Sequence, residues 1–155
     1  GVFKEWHENG QLRVQKYYKR DKEEGLCEQW HSNGEIQERY TAKNNKPEGQ
    51  YQQFHDNGVL SRQCIYYNGK KEGDLKWWYS SGNIKGTCFM RSDEKNGLQQ
   101  VWYDNGQIKS SVIYRKGKRS NTFKTWHLNG QLASQCNYKD GKKEGTLQRW
   151  RPDGE

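Results

Sequence analysis

The feature that most constrains this chain is a period of 24 residues, marked by an Asn-Gly dipeptide or a near variant in every copy. The pairs fall at Asn9-Gly10, Asn33-Gly34, Asn57-Gly58, Ser81-Gly82, Asn105-Gly106, Asn129-Gly130 and Asp153-Gly154. Asn-Gly between apolar segments is a strong signal for a β-hairpin. A fixed period predicts a repeat architecture with one supersecondary unit per copy. The copies are 1–24, 25–48, 49–72, 73–96, 97–120, 121–144 and the partial copy 145–155.

Two positions of the repeat, numbered 1 to 24 from its opening residue, form an aromatic and aliphatic stripe. Position 6 holds Trp6, Trp30, Phe54, Trp78, Trp102, Trp126 and Trp150, and position 12 holds Leu12, Ile36, Leu60, Ile84, Ile108 and Leu132. Positions 16 and 18 are weaker apolar positions, and they share strand parity with position 12, so we expect all four on one face. A three-residue turn with glycine in the left-handed region pairs position 6 with position 12. A two-residue turn would instead pair the position 6 aromatic residue with a polar residue, so we prefer the three-residue turn. The turn glycines are Gly10, Gly34, Gly58, Gly82, Gly106 and Gly130.

Composition limits how such a chain can form a core. Only 30% of the residues are apolar and the mean hydropathy is -1.42, which excludes one thick core, whereas 14% aromatic residues argue against disorder. One hairpin is marginal in water, so neighbouring copies must cover each other. We read each copy as a strand at positions of about 2–7, a turn, a strand at about 11–18 and a polar loop. The predicted fold is an all-β, elongated single-layer solenoid of stacked antiparallel hairpins, one per repeat.

The motif resembles a known family. Gly-x4-Trp-[His/Tyr]-x-Asn-Gly-x-[Leu/Ile]-x5-Tyr, followed by Gly-Lys-Lys-Glu-Gly at 69–73 and 141–145, is similar to the MORN-repeat variant over the whole chain. The resemblance implies a twisted array without catalytic residues, used for protein contacts, dimerisation or, in some MORN proteins, membrane lipid association. Variant arrays also occur in bacterial antitoxin or immunity proteins and in large DNA viruses. Departures at Phe54, Ala42, Met90 and Asn121 suggest local repacking.

The histidines His7, His31, His55 and His127 all occupy position 7. Equivalent positions lie two strands apart, about 10 Å, and zinc requires ligands about 2 Å from the ion, so neighbouring copies cannot share a metal. We therefore expect no metal and no other cofactor. The histidines are interpreted as caps at the edge of the stripe and as candidate partner contacts, which would make binding sensitive to pH.

The cysteines are spaced in the same way, with Cys64, Cys88 and Cys136 at position 16 and Cys27 at position 3. This spacing exceeds the reach of a disulfide, which needs α-carbons within about 7 Å. Free thiols predict a reducing compartment, either the cytoplasm or the inside of a viral particle.

Charge and exposed aromatic residues give weaker signals about partners. The net charge is +8, but the signs are interleaved, so we prefer a solvated face with a weak basic stripe at Arg13, Lys85 and Lys109, and nucleic acid is not expected as a partner. Position 17 carries further apolar residues, namely Tyr17, Ile65, Phe89 and Ile113, which form either a second covered strip or an exposed patch. Trp77 should face the side opposite Trp78. We choose Trp77, Phe89 and Tyr67 as candidate partner contacts because aromatic residues dominate interface hot spots.

Function follows from what the repeat offers. The sequence carries no phosphate-binding loop, nucleophile elbow or paired-carboxylate motif, so we expect no enzyme. The leading hypothesis is a protein-interaction or assembly scaffold, with self-association or a virion role included. The alternatives are an antitoxin that blocks a toxin and a module that binds anionic lipid.

Overall fold

A computed structural model describes residues 1–154, and all of their regular structure is β-strand, which confirms the predicted all-β class. Glu155, the last residue of the partial copy, lies outside the described residues. No helix within residues 1–154 has the length and apolarity to cross a bilayer. The strands are β1 (Val2–Trp6), β2 (Leu12–Lys19), β3 (Lys22–Glu23), β4 (Gly25–Trp30), β5 (Ile36–Lys43), β6 (Lys46–Phe54), β7 (Leu60–Tyr67), β8 (Lys70–Trp78), β9 (Ile84–Arg91), β10 (Glu94–Lys95), β11 (Gly97–Trp102), β12 (Ile108–Arg115), β13 (Lys118–Trp126), β14 (Leu132–Lys139) and β15 (Lys142–Arg149).

These 15 strands form one open antiparallel sheet in chain order. The two short strands β3 and β10 extend the pairing of β2 and β9, and every other strand pairs with its neighbours along the chain. The chain is therefore a continuous meander with a tight connection at each edge of the sheet, consistent with a hairpin-repeat solenoid.

The Asn-Gly connection is the predicted three-residue turn. The amide of Gly10 donates to the carbonyl of His7 (2.9 Å), the amide of His7 donates to the carbonyl of Gln11 (2.8 Å), and Gly10 has a φ of 83°. Glycine is favoured there because a side chain is strained in the left-handed region. Position 6 pairs with position 12 in all six complete hairpins, as predicted. We call the edge that carries these turns the turn edge.

The second connection differs from the expected polar loop at positions 20–24, and that expectation is wrong. Only positions 20 and 21 form the connection, and both have positive φ, as at Asn68 (49°) and Gly69 (76°). Two consecutive positive φ values are typical of a type I′ hairpin turn, which favours Asn-Gly and Asp-Gly. Position 22 then pairs back with position 19, as Lys70 does with Tyr67.

An extra residue at position 13 separates the predicted stripe into two faces. Glu5 pairs with Val14 and Trp6 pairs with Leu12, which leaves Arg13 unpaired. Paired residues share a face and successive strand residues alternate. Positions 3, 5, 14, 16 and 18 therefore lie on one face, which we call the core face. Positions 2, 4, 6, 12, 15, 17, 19 and 22 lie on the other, the outer face. The expectation of one shared face for positions 6, 12, 16 and 18 is corrected.

Apolar side chains at positions 3, 16 and 18, most of them small, make up the core. The buried apolar residues are Cys27, Ala42, Cys64, Cys88, Met90, Val112, Cys136 and Tyr138, and Cys27 and Cys64 are only 1% exposed. No second layer covers this face among the described strands, so neighbouring side chains must cover one another, and the bulge at position 13 adds the local twist that brings them together. The tryptophans are less buried than expected, and Trp6 is 55% exposed.

Candidate interaction surface

The position 7 side chains link each hairpin to the next along the turn edge. The Nε2 atom of His55 lies 3.0 Å from the carbonyl oxygen of Trp78, the position 6 residue of the next copy. A carbonyl oxygen only accepts, so Nε2 carries the proton. The same bond occurs from His7, His31 and His127, and the hydroxyls of Tyr79 and Tyr103 replace the imidazole in the two remaining copies. The histidines thus have a structural role, and their predicted partner contact stays a prediction.

The asparagine of each Asn-Gly turn adds a second link. The amide nitrogen of Asn57 donates to the carbonyl of Ser80 in the next copy (2.8 Å), and its Oδ1 accepts from the amide of Val59 (3.1 Å). Asn9, Asn33 and Asn129 make the same pair of bonds. The dipeptide therefore shapes its own turn and also fastens it to the neighbouring one.

A polar cluster lies on the core face near the start of the chain. Lys16 Nζ is 2.7 Å from Glu23 Oε1, and the Tyr18 hydroxyl donates to the same oxygen at 3.2 Å. Burial alone would raise the pKa of the Glu23 carboxyl, but the hydrogen bond and charge of Lys16, with the hydroxyls of Tyr18 and Tyr40, outweigh it and lower that pKa. These bonds satisfy the partly buried charges and stabilise the first two hairpins.

The buried thiols are poorly suited to chemistry. All four cysteines are free, and burial raises the pKa of the Cys27, Cys64 and Cys88 thiols. A nucleophilic cysteine needs a lowered pKa and access to solvent, and these three have neither. In the part of the chain that the structure describes, no group of three or more His, Cys, Asp or Glu side chains could hold a metal ion.

The outer face carries a row of exposed apolar residues at positions 2 and 17, which we call the apolar row. Its large exposed members are Val2, Tyr17, Leu26, Ile65, Phe89 and Leu98, each between 37% and 54% exposed. Ile113 is half-buried and pairs with Leu98. The open choice at position 17 between a covered strip and an exposed patch is therefore decided in favour of exposure for Tyr17, Ile65 and Phe89.

A second row runs beside the apolar row at positions 19 and 22, and we call it the cation row. Position 19 lies two residues after position 17 on the same strand, so the two share a face, and each position 19 residue pairs with position 22 across the two-residue turn. Its twelve residues, all exposed, are Lys19, Lys22, Lys43, Lys46, Tyr67, Lys70, Arg91, Glu94, Arg115, Lys118, Lys139 and Lys142. None of its ten cations takes part in an ion pair within residues 1–154.

Comparison with protein families gives a match along most of the chain. The model of the MORN repeat variant matches residues 1–20, 23–44, 47–69, 71–91, 95–116 and 119–140, six tandem copies. The chain belongs to the MORN repeat variant family. The match confirms the resemblance inferred from the motif, and each segment covers one hairpin of the sheet. A search of curated proteins gives no significant match.

Repeats of the MORN family are generally modules for interaction with proteins or membranes, and they are typically not catalytic. In this MORN repeat variant array, the core face is committed to packing and the turn edge to links between hairpins. On the outer face, the exposed side chains at positions 2, 17, 19 and 22 serve neither purpose. The apolar and cation rows are therefore the candidate interaction surface.

The residues chosen from the sequence as partner contacts fall in different places on this array. Phe89 lies in the apolar row and Tyr67, 64% exposed, in the cation row. Trp77 does face the side opposite Trp78, but that side is the core face. There its half-buried ring packs on Gly86, so it is not an exposed contact.

The basic stripe expected at position 13 is used locally. Arg13 forms an ion pair with Glu5 (2.9 Å), and Lys85 and Lys109 each lie over a tyrosine ring of the same hairpin. Sequence reasoning missed Leu26 and Leu98 at position 2 and, apart from Tyr67, the cation row. Aligning positions 2, 17 and 19 across the copies would have revealed both.

Proposed function

We propose that this MORN repeat variant array is a non-enzymatic scaffold that binds a protein partner through its outer face. The observation that carries the proposal is the apolar row, in which Leu98 is 49% and Phe89 40% exposed. Exposed apolar side chains gathered in one row are a feature of interaction surfaces, and aromatic residues are enriched where binding energy concentrates. The flanking rows are polar, as the rim of an interface is.

The test removes apolar area without touching the core. A Phe89→Ser/Leu98→Ser variant should fold normally and lose the partner isolated from the native source, and a Thr122→Ser/Asn137→Ser variant changes the same two repeat positions where the row is already polar. Cross-linking with mass spectrometry identifies the bound protein and maps the contact. A partner retained equally by both variants would contradict the proposal. Light scattering of the pure chain measures whether it self-associates, and so distinguishes a second copy of this chain from a different protein as the partner.

An antitoxin role would be one case of such binding. It predicts that the isolated partner is a toxic enzyme whose activity is blocked by the array. A partner without that activity would rule it out.

A second candidate, binding to an anionic membrane surface, is favoured by the cation row, because rows of lysine and arginine attract acidic headgroups. Flotation with phosphatidylserine vesicles at low and high salt tests it. Absence of binding at low salt would remove this candidate.

We also propose that the chain works in a reducing compartment, the cytoplasm or the inside of a viral particle. This rests on four free, buried thiols. Localisation of the tagged protein tests it, and a secreted product would contradict it.

A further inference from the structure

We infer that the outer face of the fourth and fifth copies docks an acidic amphipathic segment of a protein partner. In this arrangement the apolar side chains of the segment lie on the apolar row and its carboxylates face the cation row. The inference rests on the proposed function and adds the chemistry of the partner and the place where it binds.

The two rows run side by side at this place. Phe89 and Arg91 lie two residues apart on β9, and Ile113 and Arg115 do the same on β12, so each apolar residue has a cation about 7 Å away on the same face. Leu98 on β11 lies between them and pairs with Ile113. A ligand bound across these strands would therefore contact apolar side chains along one side and cations along the adjacent side.

Elsewhere in the array, a carboxylate at position 24 lies within the outer face and offsets the cations. Glu72 pairs with Ile65 of the apolar row, and its side chain accepts a hydrogen bond from the amide of Ser92 in the next copy (2.8 Å). Glu24 and Glu48 accept the equivalent bonds from Asn44 and Asn68. In the first three copies this acid is therefore a fixed part of the surface.

The fourth and fifth copies lack that acid. Asn96 replaces it in the fourth copy and accepts from the amide of Lys116 at 3.4 Å, and Ser120 replaces it in the fifth, where it pairs with Ile113. Removing two negative charges leaves Arg115 and Lys118, which pair across their turn, without a counter-charge at this position. The nearest acid of the cation row is Glu94, which pairs with Arg91 and whose side chain lies against Gly117, in the turn between Arg115 and Lys118. In the fifth copy, positions 19, 22 and 24 thus carry two cations and no acid, whereas in the fourth copy Glu94 offsets Arg91. The Arg115 and Lys118 side of the site is therefore the part that would gain from a negatively charged ligand.

The pattern of the apolar row favours a peptide segment over a bilayer. Asp74 pairs with Phe89 inside the row, and Gln50 pairs with Ile65, so a flat apolar phase would have to bury polar groups between the apolar ones at a cost. A helix laid across the strands rises about 5.4 Å per turn, close to the ~4.8 Å between strands. Its anchors at i, i+4 and i+7 would reach Phe89, Leu98 and Ile113 in succession.

The test begins with a displayed library of random peptides of about 16 residues, selected on the whole array. We expect the enriched peptides to combine Asp or Glu with Leu, Phe or Met, and their affinity to fall with added salt, since exposed charges are screened over about 10 Å at 0.1 M. Enriched peptides without acidic residues would overturn the inference. So would a selection that enriches nothing relative to the Phe89→Ser/Leu98→Ser variant.

A charge-reversal pair with a matched control then locates the site. Arg115→Glu/Lys118→Glu should weaken an enriched peptide about tenfold at low salt, as expected for two exposed charge contacts turned from attraction to repulsion. Lys139→Glu/Lys142→Glu makes the same charge change at the same repeat positions, beside polar Thr122 and Asn137, and should have little effect. Equal loss in the two variants would overturn the inference, because net charge alone would then explain it.

The outcomes separate this inference from the proposed function. If Phe89→Ser/Leu98→Ser abolishes peptide binding and Arg115→Glu/Lys118→Glu does not, the protein-binding face stands and the acidic partner is wrong. If both variants bind as the wild type does, both proposals fail. Capture of phosphatidylserine vesicles that depends on Arg115 and Lys118, without any enriched peptide, would assign the site to a membrane instead. Thermal unfolding followed by circular dichroism checks that each variant is folded.

Discussion

Gly86 occupies a place where a side chain cannot fit. A β-carbon built on it would lie 2.1 Å from a ring atom of Trp77, its partner on β8. Its backbone has no positive φ, so the glycine is explained by the close approach of the indole and not by a turn. The other glycines of the array repeat with the period, but this one does not. A glycine out of register therefore marks where one large side chain lies flat on the sheet.

We predict that Gly86→Ala destabilises the array. Alanine at a strand position normally stabilises relative to glycine by about 0.5–1 kcal/mol, whereas overpacking here should cost about 1–3 kcal/mol. Urea unfolding measures the change in the free energy of unfolding. In a Trp77→Leu background the same substitution should cost much less, because the ring is gone. An unchanged cost in that background would show that the clash is not with Trp77.

The ion pair of Lys16 and Glu23 predicts a stability that depends on pH. The pKa of Glu23 is lowered in the fold, so its ionised form stabilises the folded chain above the ordinary value of 4.5, and this contribution is lost as the pH falls through the folded pKa. Glu23→Gln should therefore lower the free energy of unfolding by about 1–2 kcal/mol at neutral pH. The difference in the free energy of unfolding between this variant and the wild type should become smaller at acidic pH. Urea unfolding at several pH values checks this, and a gap that stays constant with pH would contradict it.

At the scale of the hairpin, the sequence predicted the turn and missed the bulge. The spacing of Trp6, Gly10 and Leu12 was enough to choose the three-residue turn, because only that turn pairs the two apolar positions. The extra residue at position 13 leaves no mark of a bulge in the sequence, since that position is basic in three copies and varied in the others, as at Ser61 and Ala133. Counting parity across an unbroken strand therefore places Cys64, Cys88 and Cys136 on the same face as the position 6 tryptophans, whereas the bulge puts them on the opposite face.

The candidate surface was hidden by a related error. The sequence predicts a strand that ends at about position 18 and a polar loop that includes position 22, so the cations at positions 19 and 22 are not expected to form one surface. A type I′ turn of two residues brings Lys43 opposite Lys46, and Arg115 opposite Lys118, on a single face. A charged segment around Asn-Gly or Asp-Gly can be a paired strand end, and then its charges form a surface and not a loose loop.

The links of position 7 predict which substitutions a hairpin tolerates. His55→Tyr should leave the free energy of unfolding nearly unchanged, because Tyr79 already donates from the same position to the next copy (2.8 Å). His55→Leu places an apolar side chain at this position and removes the hydrogen-bond donor to the carbonyl of Trp78. It should lower the free energy of unfolding by about 1–2 kcal/mol. Guanidinium unfolding of the two variants makes the comparison. Equal losses would mean that the bond does not contribute.

Across the whole molecule, each hairpin contacts only its neighbours, so stability is a sum of unit and interface contributions. At the edge opposite the turn edge, the same bond recurs one period later, from Glu24 to Asn44 and again from Glu48 to Asn68. An equivalent junction joins the third copy to the fourth, from Glu72 to Ser92, and a longer bond from Asn96 to Lys116 joins the fourth to the fifth. Among residues 1–154, no strand of the first hairpin pairs with a strand of the last, as the open strand order requires.

Removing one whole period should therefore leave a folded array. Deletion of residues 25–48 joins Glu24 to Gly49 and restores the position 24 junction, so we expect a cooperative but weaker unfolding transition. Deletion of only 37–48 removes β5 and should disrupt pairing, because it places two first strands of the repeat side by side. Circular dichroism with thermal unfolding compares them. Failure of the whole-period deletion to fold would show that the copies are not interchangeable.

The core and the links between hairpins use different repeat positions from the exposed rows, and this separation affects how such genes can evolve. Positions 3, 16 and 18 pack the core, and positions 7, 9 and 24 bond each hairpin to the next. In-frame duplication of one 24-residue period therefore adds a hairpin that can pack and bond with its neighbours without further substitutions. The residues at positions 2, 17, 19 and 22 of each new copy can then be substituted without disrupting the sheet. Lineages carrying these genes can thus rewrite what is recognised while the scaffold stays the same.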